Sequence, residues 1–276
     1  MKIQSYASVT SYLKKATEFW KVNEAMNGLF WELTRSKANL SLPKKYFNVF
    51  ENGKVVGSAL ITSASYLLLS TKTKKAVKCL VKYIQREKIY LAGALGSRPV
   101  LESFYQYYSS KRPKSVFSPN KEFIVFQSPT SELRFKEDRK YNLEQATTKE
   151  WPRVANWSKS FAHESIPPLN PQRSLALAKE MYSLKRLFVL KSKDQRMMAM
   201  GGFGRETMNA LVINMVYVQP ECRGAGVGRM LVYELVKVAE KWGYSHCNLF
   251  SDYNGEENLY AQVGFKKKGT FCEISF

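Results

Sequence analysis

Two histidines and four cysteines are all the imidazoles and thiols that this chain of 276 residues offers a metal. His163 and His246 stand far apart, and Cys79, Cys222, Cys247 and Cys272 fall without a Cys-x-x-Cys pair, so the ligand spacing of a zinc or iron–sulfur site is missing. Free thiols in a reducing compartment are the expectation, with no metal. Long apolar runs are missing too: Val55 to Leu69 is broken by Gly, Ser and Thr before the roughly 18 residues that a membrane helix needs. Met1 to Phe30 mixes its lysines with Glu18 and Glu24 and has no compact apolar run ahead of small residues. It reads as mature protein, and the expected location is cytoplasmic. Acidic side chains are scarce, 23 against 43 basic ones, for a net charge of +20. The scarcity is uneven: residues 1–140 hold 25 basic and 10 acidic side chains, residues 141–276 hold 18 and 13.

What is present is a folding composition, 45% hydrophobic and 24% charged, over a length that suits two domains. Ser109 to Asn120, with Lys111, Arg112, Pro113, Lys114 and Pro119, is polar and proline-bearing and marks a boundary between domains at 1–120 and 121–276. In the second, Leu187 to Lys191, Met197 to Gly204 and Leu211 to Val218 read as strands. Gly228 to Trp242 follows as an amphipathic helix with Leu231, Leu235, Val238 and Trp242 on one stripe, stopped by Gly243. Ser245 to Phe250, Glu256 to Gln262 and Phe265 to Phe276 read as strand, short helix and closing strand. The first half repeats the order. Tyr46 to Glu51 and Lys54 to Ile61 flank Asn52-Gly53, a type I′ hairpin signal, before a strand at Tyr66 to Leu69. Thr73 to Arg86 reads as helix, Ile89 to Ala94 as strand and Pro99 to Tyr108 as helix, which predicts an internal structural repeat. Lys121 to Phe126 and Leu133 to Phe135 add strands.

The segment richest in chemistry runs from Ile213 to Leu231. Strand residues lead into Gln219-Pro220-Glu221-Cys222, then Arg223-Gly224-Ala225-Gly226-Val227-Gly228, then a helix. Such a turn leaves backbone N–H groups unpaired at the positive end of the helix dipole, a place for a diphosphate. Glycine lets phosphate oxygens approach the backbone and tolerates positive φ. A nucleotide P-loop would need Lys-Ser or Lys-Thr after the last glycine, where Arg229-Met230 stands. A dinucleotide fingerprint needs Gly-x-Gly-x-x-Gly, and here the glycines fall as Gly-x-Gly-x-Gly, although Asp252 follows the next strand. A plain strand–turn–helix connection would have little use for three alternating glycines.

Val218-x-Pro220-x-x-Arg223-x-x-Gly226-x-Gly228 resembles the phosphate loop of the GNAT acyltransferase superfamily, and the likeness continues through Asn254, Tyr260 and Gly264-Phe265. Leu249-Phe250-Ser251-Asp252 and Glu273-Ile274-Ser275-Phe276 resemble stretches of predicted bacterial acetyltransferases with tandem GNAT-like halves. The resemblance implies an α/β (α+β) fold of two GNAT-like domains, each a mixed, mainly antiparallel sheet flanked by helices. It implies an N-acetyltransferase that uses acetyl-coenzyme A as co-substrate. Backbone groups of Val216, Tyr217 and Val218 would pair with the pantetheine arm, and Arg223, Gly224, Ala225, Gly226, Val227 and Gly228 would hold the diphosphate. Asn254 would approach the pantetheine, although it stands one residue nearer to Tyr260 than is usual in the family. Tyr260 would donate a proton to the leaving thiolate, being protonated at neutral pH with an ordinary pKa of about 10.

For the proton of the incoming amine, Asn214 could hold a water, and Glu164 or Glu206 could bind the amine; none is singled out. The first half has Ser70-Thr71-Lys72-Thr73-Lys74 where the second has its glycines, so it is expected to be a degenerate partner domain. Its helix carries Lys74, Lys78, Lys82 and Arg86 every four residues opposite the apolar face, a stripe suited to an anionic partner or simply to water. A small-molecule or peptide amine acceptor is the leading expectation. A tRNA-dependent or longer-chain acyl transferase and a non-catalytic binding module stay open beside it, and oligomeric state is not written in these patterns.

Overall fold

Asn52 and Gly53 both take positive φ, +50° and +75°, the type I′ turn that their pairing predicts. Around this hairpin the computed structural model, which describes residues 1–35, 45–109, 116–134, 140–251 and 258–276, builds the first of two units. By internal contacts the units are Met1–Phe123 with Gly269–Phe276, and Ile124–Lys268.

In the first unit, β1 (Lys2–Tyr6), β2 (Lys45–Glu51), β3 (Lys54–Ile61) and β4 (Tyr66–Thr71) lie antiparallel in that order, and β5 (Gly93–Ser97) runs parallel to β4. The alternation Tyr46, Phe47, Asn48 sends neighbouring side chains to opposite faces. Phe47 joins Val77, Leu80, Val81 and Ile84 of α3 (Lys74–Arg86) and Leu101 and Phe104 of α4 (Arg98–Tyr108) in one core. On the other face, α1 (Val9–Lys21) places the ring of Tyr12 5.1 Å from Tyr46, and Trp20 of α1 stacks on Phe30 of α2 (Gly28–Arg35). Four buried polar side chains there form one network: Tyr12 Oη meets Ser58 Oγ at 2.7 Å, Ser58 Oγ donates to Asn48 Oδ1 at 2.9 Å, and Asn48 Nδ2 donates to Tyr6 Oη at 3.2 Å. This neutral network ties β1, β2, β3 and α1 together.

The second unit repeats the plan. β7 (Tyr141–Gln145), β8 (Leu187–Ser192), β9 (Met197–Glu206) and β10 (Ala210–Val218) are antiparallel neighbours, β11 (His246–Ser251) is parallel to β10, and β6 (Lys121–Pro129) is antiparallel to β11. Leu231, Leu235 and Val236 of α7 (Val227–Lys241) pack on one face of this sheet, beside α8 (Leu259–Val263). α5 (Trp151–Glu164) and α6 (Pro171–Ser183) cover the other through Val154, Trp157, Ala178 and Met181. Here the buried polar network is ionic. The Lys191 side chain is only 10% exposed, and its Nζ donates to Glu144 Oε2 at 2.7 Å and Glu150 Oε1 at 3.1 Å.

The expected mixed sheets flanked by helices are therefore present, with several local differences. Ile89 bonds back to the Ile84 carbonyl and ends α3, so the strand predicted from Ile89 begins at Gly93. Leu133 and Arg134 lie outside any strand, and Phe135 is outside the described residues. The last strand, β12 (Lys266–Ser275), differs from the expected division at 120/121. Phe271 to Ser275 pair with Ser97 to Gly93, and Cys272 and Ile274 fill the first unit's core, so the chain's end completes the first sheet while β6 completes the second. Among the described residues no helix is long and apolar enough to cross a membrane, and no three His, Cys, Asp or Glu side chains cluster as metal ligands.

Candidate functional site

β10 keeps a regular parallel register with β11 up to Ile213, but against β9 it slips twice, first between Val212 and Ile213, where β9 carries the extra residue, and again after Asn214. Asn214 faces Gly202 of β9 and Tyr217 faces Met200, so three steps on β10 match two on β9. The extra residue is a bulge in which Met215 adopts φ +56°, and Asn214 Oδ1 accepts the Met215 N–H at 2.7 Å. Met215 and Tyr217 thereby point into the core beneath α5 and α6, while Val216 and Val218 lean on the α7 side.

The parallel ladder with β11 covers Ala210 to Ile213 against His246 to Leu249 and ends there. β10 continues to Val218 beside β9, and β11 continues to Ser251 beside β6. The two strands thus part company just where the bulge begins. Past that point the β11-side backbone edge of β10 is outside the ladder, and an extended ligand segment could take the place of a strand.

At the end of β10, Pro220 to Cys222 form one 3-10 turn. Gly224 and Gly226 then take φ +79° and +78°, and α7 starts at Val227 with Gly226 as an N-cap that supplies no side-chain bond. The first bond of the helix runs from Met230 N to Gly226 O, so the amides of Val227, Gly228 and Arg229 precede it. They stand at the positive end of the helix dipole. A Cβ on Gly224 would meet nothing within 4 Å, so its glycine is set by the left-handed φ and not by crowding. A Cβ on Gly228 would come 3.4 Å from Val218 and 3.6 Å from Leu259, which shows how closely the strand end, the helix start and α8 converge. Backbone donors, a left-handed turn and a parted strand edge are what a linear thioester with a diphosphate would require.

Arg223 is less available than its position suggests. Its backbone N–H reaches Pro220 O, its Nε donates to Val218 O at 2.9 Å, and its Nη2 donates to Glu164 Oε2 at 2.7 Å, with the guanidinium 5.5 Å from the Tyr217 ring centre. The side chain closes the turn and ties it to the end of α5. Tyr260, on α8, is half-buried with its ring 6.0 Å from Phe126 and 6.3 Å from Phe265. Arg229 Nη1 donates to Gln262 Oε1 at 2.8 Å, which fixes α8 against the start of α7. Asn254 lies outside the described residues.

Val216, Tyr217, Val218, Arg223, Gly224, Ala225, Gly226, Val227 and Gly228 therefore form one continuous strand end and turn, and Tyr260 stands on the adjoining helix. The two carboxylates considered for the amine are engaged elsewhere: Glu164 with Arg223, and Glu206 with Arg186 and the Tyr244 hydroxyl. Asn214 spends its carbonyl on its own bulge. The bulge at Met215 and the Glu164–Arg223 pair were not foreseen. Neither has a local signal, since methionine does not favour left-handed backbone and the ion pair joins residues 59 apart in sequence.

Residues 151–265 match the family described as Acetyltransferase (GNAT) family. No curated protein matches the chain by sequence. Among solved structures the chain is similar to an acetyltransferase of the GNAT family from Colwellia psychrerythraea, with TM-score 0.59 and 18% identity over all of both chains. It is also similar to a GCN5-related N-acetyltransferase from Sphaerobacter thermophilus, with TM-score 0.58 and 15% identity over 98% of this chain and 94% of that one. A tandem GNAT protein from the clavulanic acid biosynthesis pathway matches with TM-score 0.54 and 10% identity over 99% and 98%. At these identities the likeness to the solved structures is one of fold. The family match falls on the elements that form the bulge, the turn and α8, and on that ground residues 151–265 belong to the GNAT acetyltransferase family and the protein is an acyltransferase.

Proposed function

We propose that the protein transfers an acetyl group from acetyl-coenzyme A to the primary amine of a small molecule or peptide, by direct attack in a ternary complex. The observation that carries this reading is the parting of β10 from β11 after Ile213, directly ahead of a helix N-terminus entered through two left-handed glycines. Acetyl-coenzyme A supplies an acyl group activated as a thioester. The backbone of Val216, Tyr217 and Val218 binds its extended arm in place of a neighbouring strand. The amides from Gly224 to Gly228 receive the diphosphate, where α7's dipole favours negative charge. Arg223 contributes mainly by holding the turn in shape through Val218 O.

As the amine nitrogen bonds to the acetyl carbon and the C–S bond breaks, Tyr260 Oη gives its proton to the departing sulfur, so that coenzyme A leaves as a thiol, and the proton shed by the nitrogen passes to solvent, from which Tyr260 is reprotonated. Phe126 and Phe265 fix its ring, which restricts where that hydroxyl points. Glu164 and Glu206 are both held in ion pairs, so neither is assigned the proton of the incoming amine.

Thiol release from acetyl-coenzyme A, followed across a panel of amines, polyamines and basic peptides, tests the reading. Tyr260→Phe is expected to lower kcat about a hundredfold, within the range of a lost general acid, while the Kd for acetyl-coenzyme A stays unchanged. An unchanged kcat would remove Tyr260 from the chemistry. A failure of acetyl-coenzyme A to bind the wild-type chain in calorimetry would remove the proposal itself.

A further inference from the structure

We propose that the outward face of α3 is a docking surface for single-stranded nucleic acid. This inference is independent of the transfer chemistry. Lys74, Lys75, Lys78, Lys82 and Arg86 are all exposed on this one helix, and exposed Lys72 and Lys88 flank it. Between residues 72 and 88 the only acidic side chain is Glu87, which pairs with Arg86 at 2.8 Å. Ala76, Val77, Leu80, Val81 and Ile84 are at most 2% exposed, so the opposite side of the helix is fixed on its core and the cationic side has one orientation.

A face that serves only solubility mixes its signs, because like charges four residues apart on a helix repel. α7 does mix them: Lys237 there is paired with Glu240 and is also within electrostatic reach of Glu234, one turn before it. α3 has no acid to offset its lysines and keeps the repulsion. A bound polyanion would relieve it.

The rings beside these cations select the kind of polyanion. Lys78 Nζ lies 5.9 Å from the ring centre of Tyr107, and the Arg86 guanidinium lies 5.3 Å from that of Tyr83. Tyr90, just beyond Lys88, is 75% exposed. Cations alternating with tyrosines are suited to a chain of phosphates with bases free to stack, and such stacking is indifferent to sequence. A duplex hides its base faces from these rings. An anionic membrane would call for large aliphatic side chains directed outward, and the exposed positions of α3 are Lys, Gln and Arg.

Fluorescence anisotropy of a labelled oligouridylate with the full chain, from low salt to about 200 mM, tests the surface. Binding is expected to weaken steeply with salt. Replacing Lys74, Lys78 and Lys82 by Gln is expected to cut low-salt affinity at least tenfold. It should also reduce the slope of log K on log salt by about 2, three single-strand phosphate contacts at about 0.7 each. Replacing Lys266, Lys267 and Lys268 by Gln removes the same charge from exposed residues elsewhere and is expected to leave the slope in place. Tyr90→Ser is expected to weaken binding several-fold without changing the slope. Equal losses from the two lysine triples would reduce the attraction to net charge and overturn the proposal. So would equal competition by duplex of the same length, or stronger competition by phosphatidylserine vesicles. Unchanged circular dichroism and melting of each variant separate lost binding from lost folding.

Discussion

α3 and α7 hold the same place in their two units, after the third strand of the meander and before the strand that runs parallel to it, yet their first turns are built differently. α3 is entered through Thr73 in extended backbone, φ −141°, and the Thr73 hydroxyl oxygen accepts the Ala76 N–H at 3.2 Å. α7 is entered through Gly226 in left-handed backbone, with no side chain to claim its amides. The strands ahead of them differ in the same sense. β4 pairs with β3 without a register shift, and although its ladder with β5 ends at Leu68, a Cβ on Gly96 of β5 would stand 2.6 Å from the Leu69 carbonyl oxygen, so the two strands are still in close contact one residue further on. β10 has its bulge and leaves β11. One topology thus carries a first turn capped by a hydroxyl in one unit and a first turn without a side-chain cap in the other, and the difference lies in Thr73, in two left-handed glycines and in the irregular register of β10.

The largest effect that would break this contrast comes from Gly226→Val. A β-branched residue at φ +78° costs about 1–2 kcal/mol in the folded chain and crowds Arg229, whose Nη2 would be 3.1 Å from the new Cβ. The Kd for acetyl-coenzyme A is expected to rise about a hundredfold in calorimetry, near 2.8 kcal/mol. A folded variant that binds as the wild type does would show that the turn is not the receptor.

The next effect sharpens a second contrast, between the neutral network of the first unit and the ionic one of the second. The Glu150 carboxyl is held down at about 2, first by the Thr147 hydroxyl and then by Lys191, against the cost of burial. Its folded pKa lies below the ordinary 4.5, so its stabilisation is complete above that value and is lost as pH falls toward about 2. Tyr12, whose buried phenol is pushed upward, stays neutral throughout this window. Urea unfolding is expected to show a midpoint that drops between those pH values in the wild type and a flatter profile in Glu150→Ala. At neutral pH the variant should be roughly 2 kcal/mol less stable, because Lys191 keeps its half-exposed partner Glu144. A wild-type midpoint that is constant across the window would refute the assignment.

A smaller effect falls on α3. Thr73→Ala removes its cap and is expected to cost about 1 kcal/mol of stability while leaving acetyl-coenzyme A binding untouched. Any change in cofactor affinity would mean that the first unit is not as separate from the cofactor as its closed first turn implies.

These contrasts were legible in the sequence to different depths. Glycine has a backbone freedom that no other residue shares, so Gly224, Gly226 and Gly228 announced the turn, and period-four stripes announced α3 and α7. Met215 announced nothing, because its left-handed backbone is imposed by β9 pairing on both sides of the extra residue. The exchange of β6 and β12 was equally silent: both are extended strands that mix a few buried apolar side chains with polar ones, and only pairing across the chain decides which sheet each completes. α1 is legible locally, since Tyr12, Ala16 and Phe19 fall on one stripe and Ser8 stands at the cap position.

The smallest effect concerns Glu164. Its carboxylate stands 2.7 Å from Arg223, and both side chains are 46% exposed, so the pair contributes at most about 1 kcal/mol and Glu164→Gln should shift Tm by no more than about 4 °C. The same carboxylate brings a negative charge to the turn proposed to receive a diphosphate, while Val218 O independently holds the Arg223 Nε. If Val218 alone keeps the guanidinium in place, Glu164→Gln removes the repulsion and retains the geometry. Acetyl-coenzyme A should then bind about two- to threefold more tightly at low salt, with the gain fading above physiological ionic strength as screening shortens the reach of the charge. Tenfold weaker binding would mean the opposite: that α5, through Glu164, must pull on Arg223 to shape the turn.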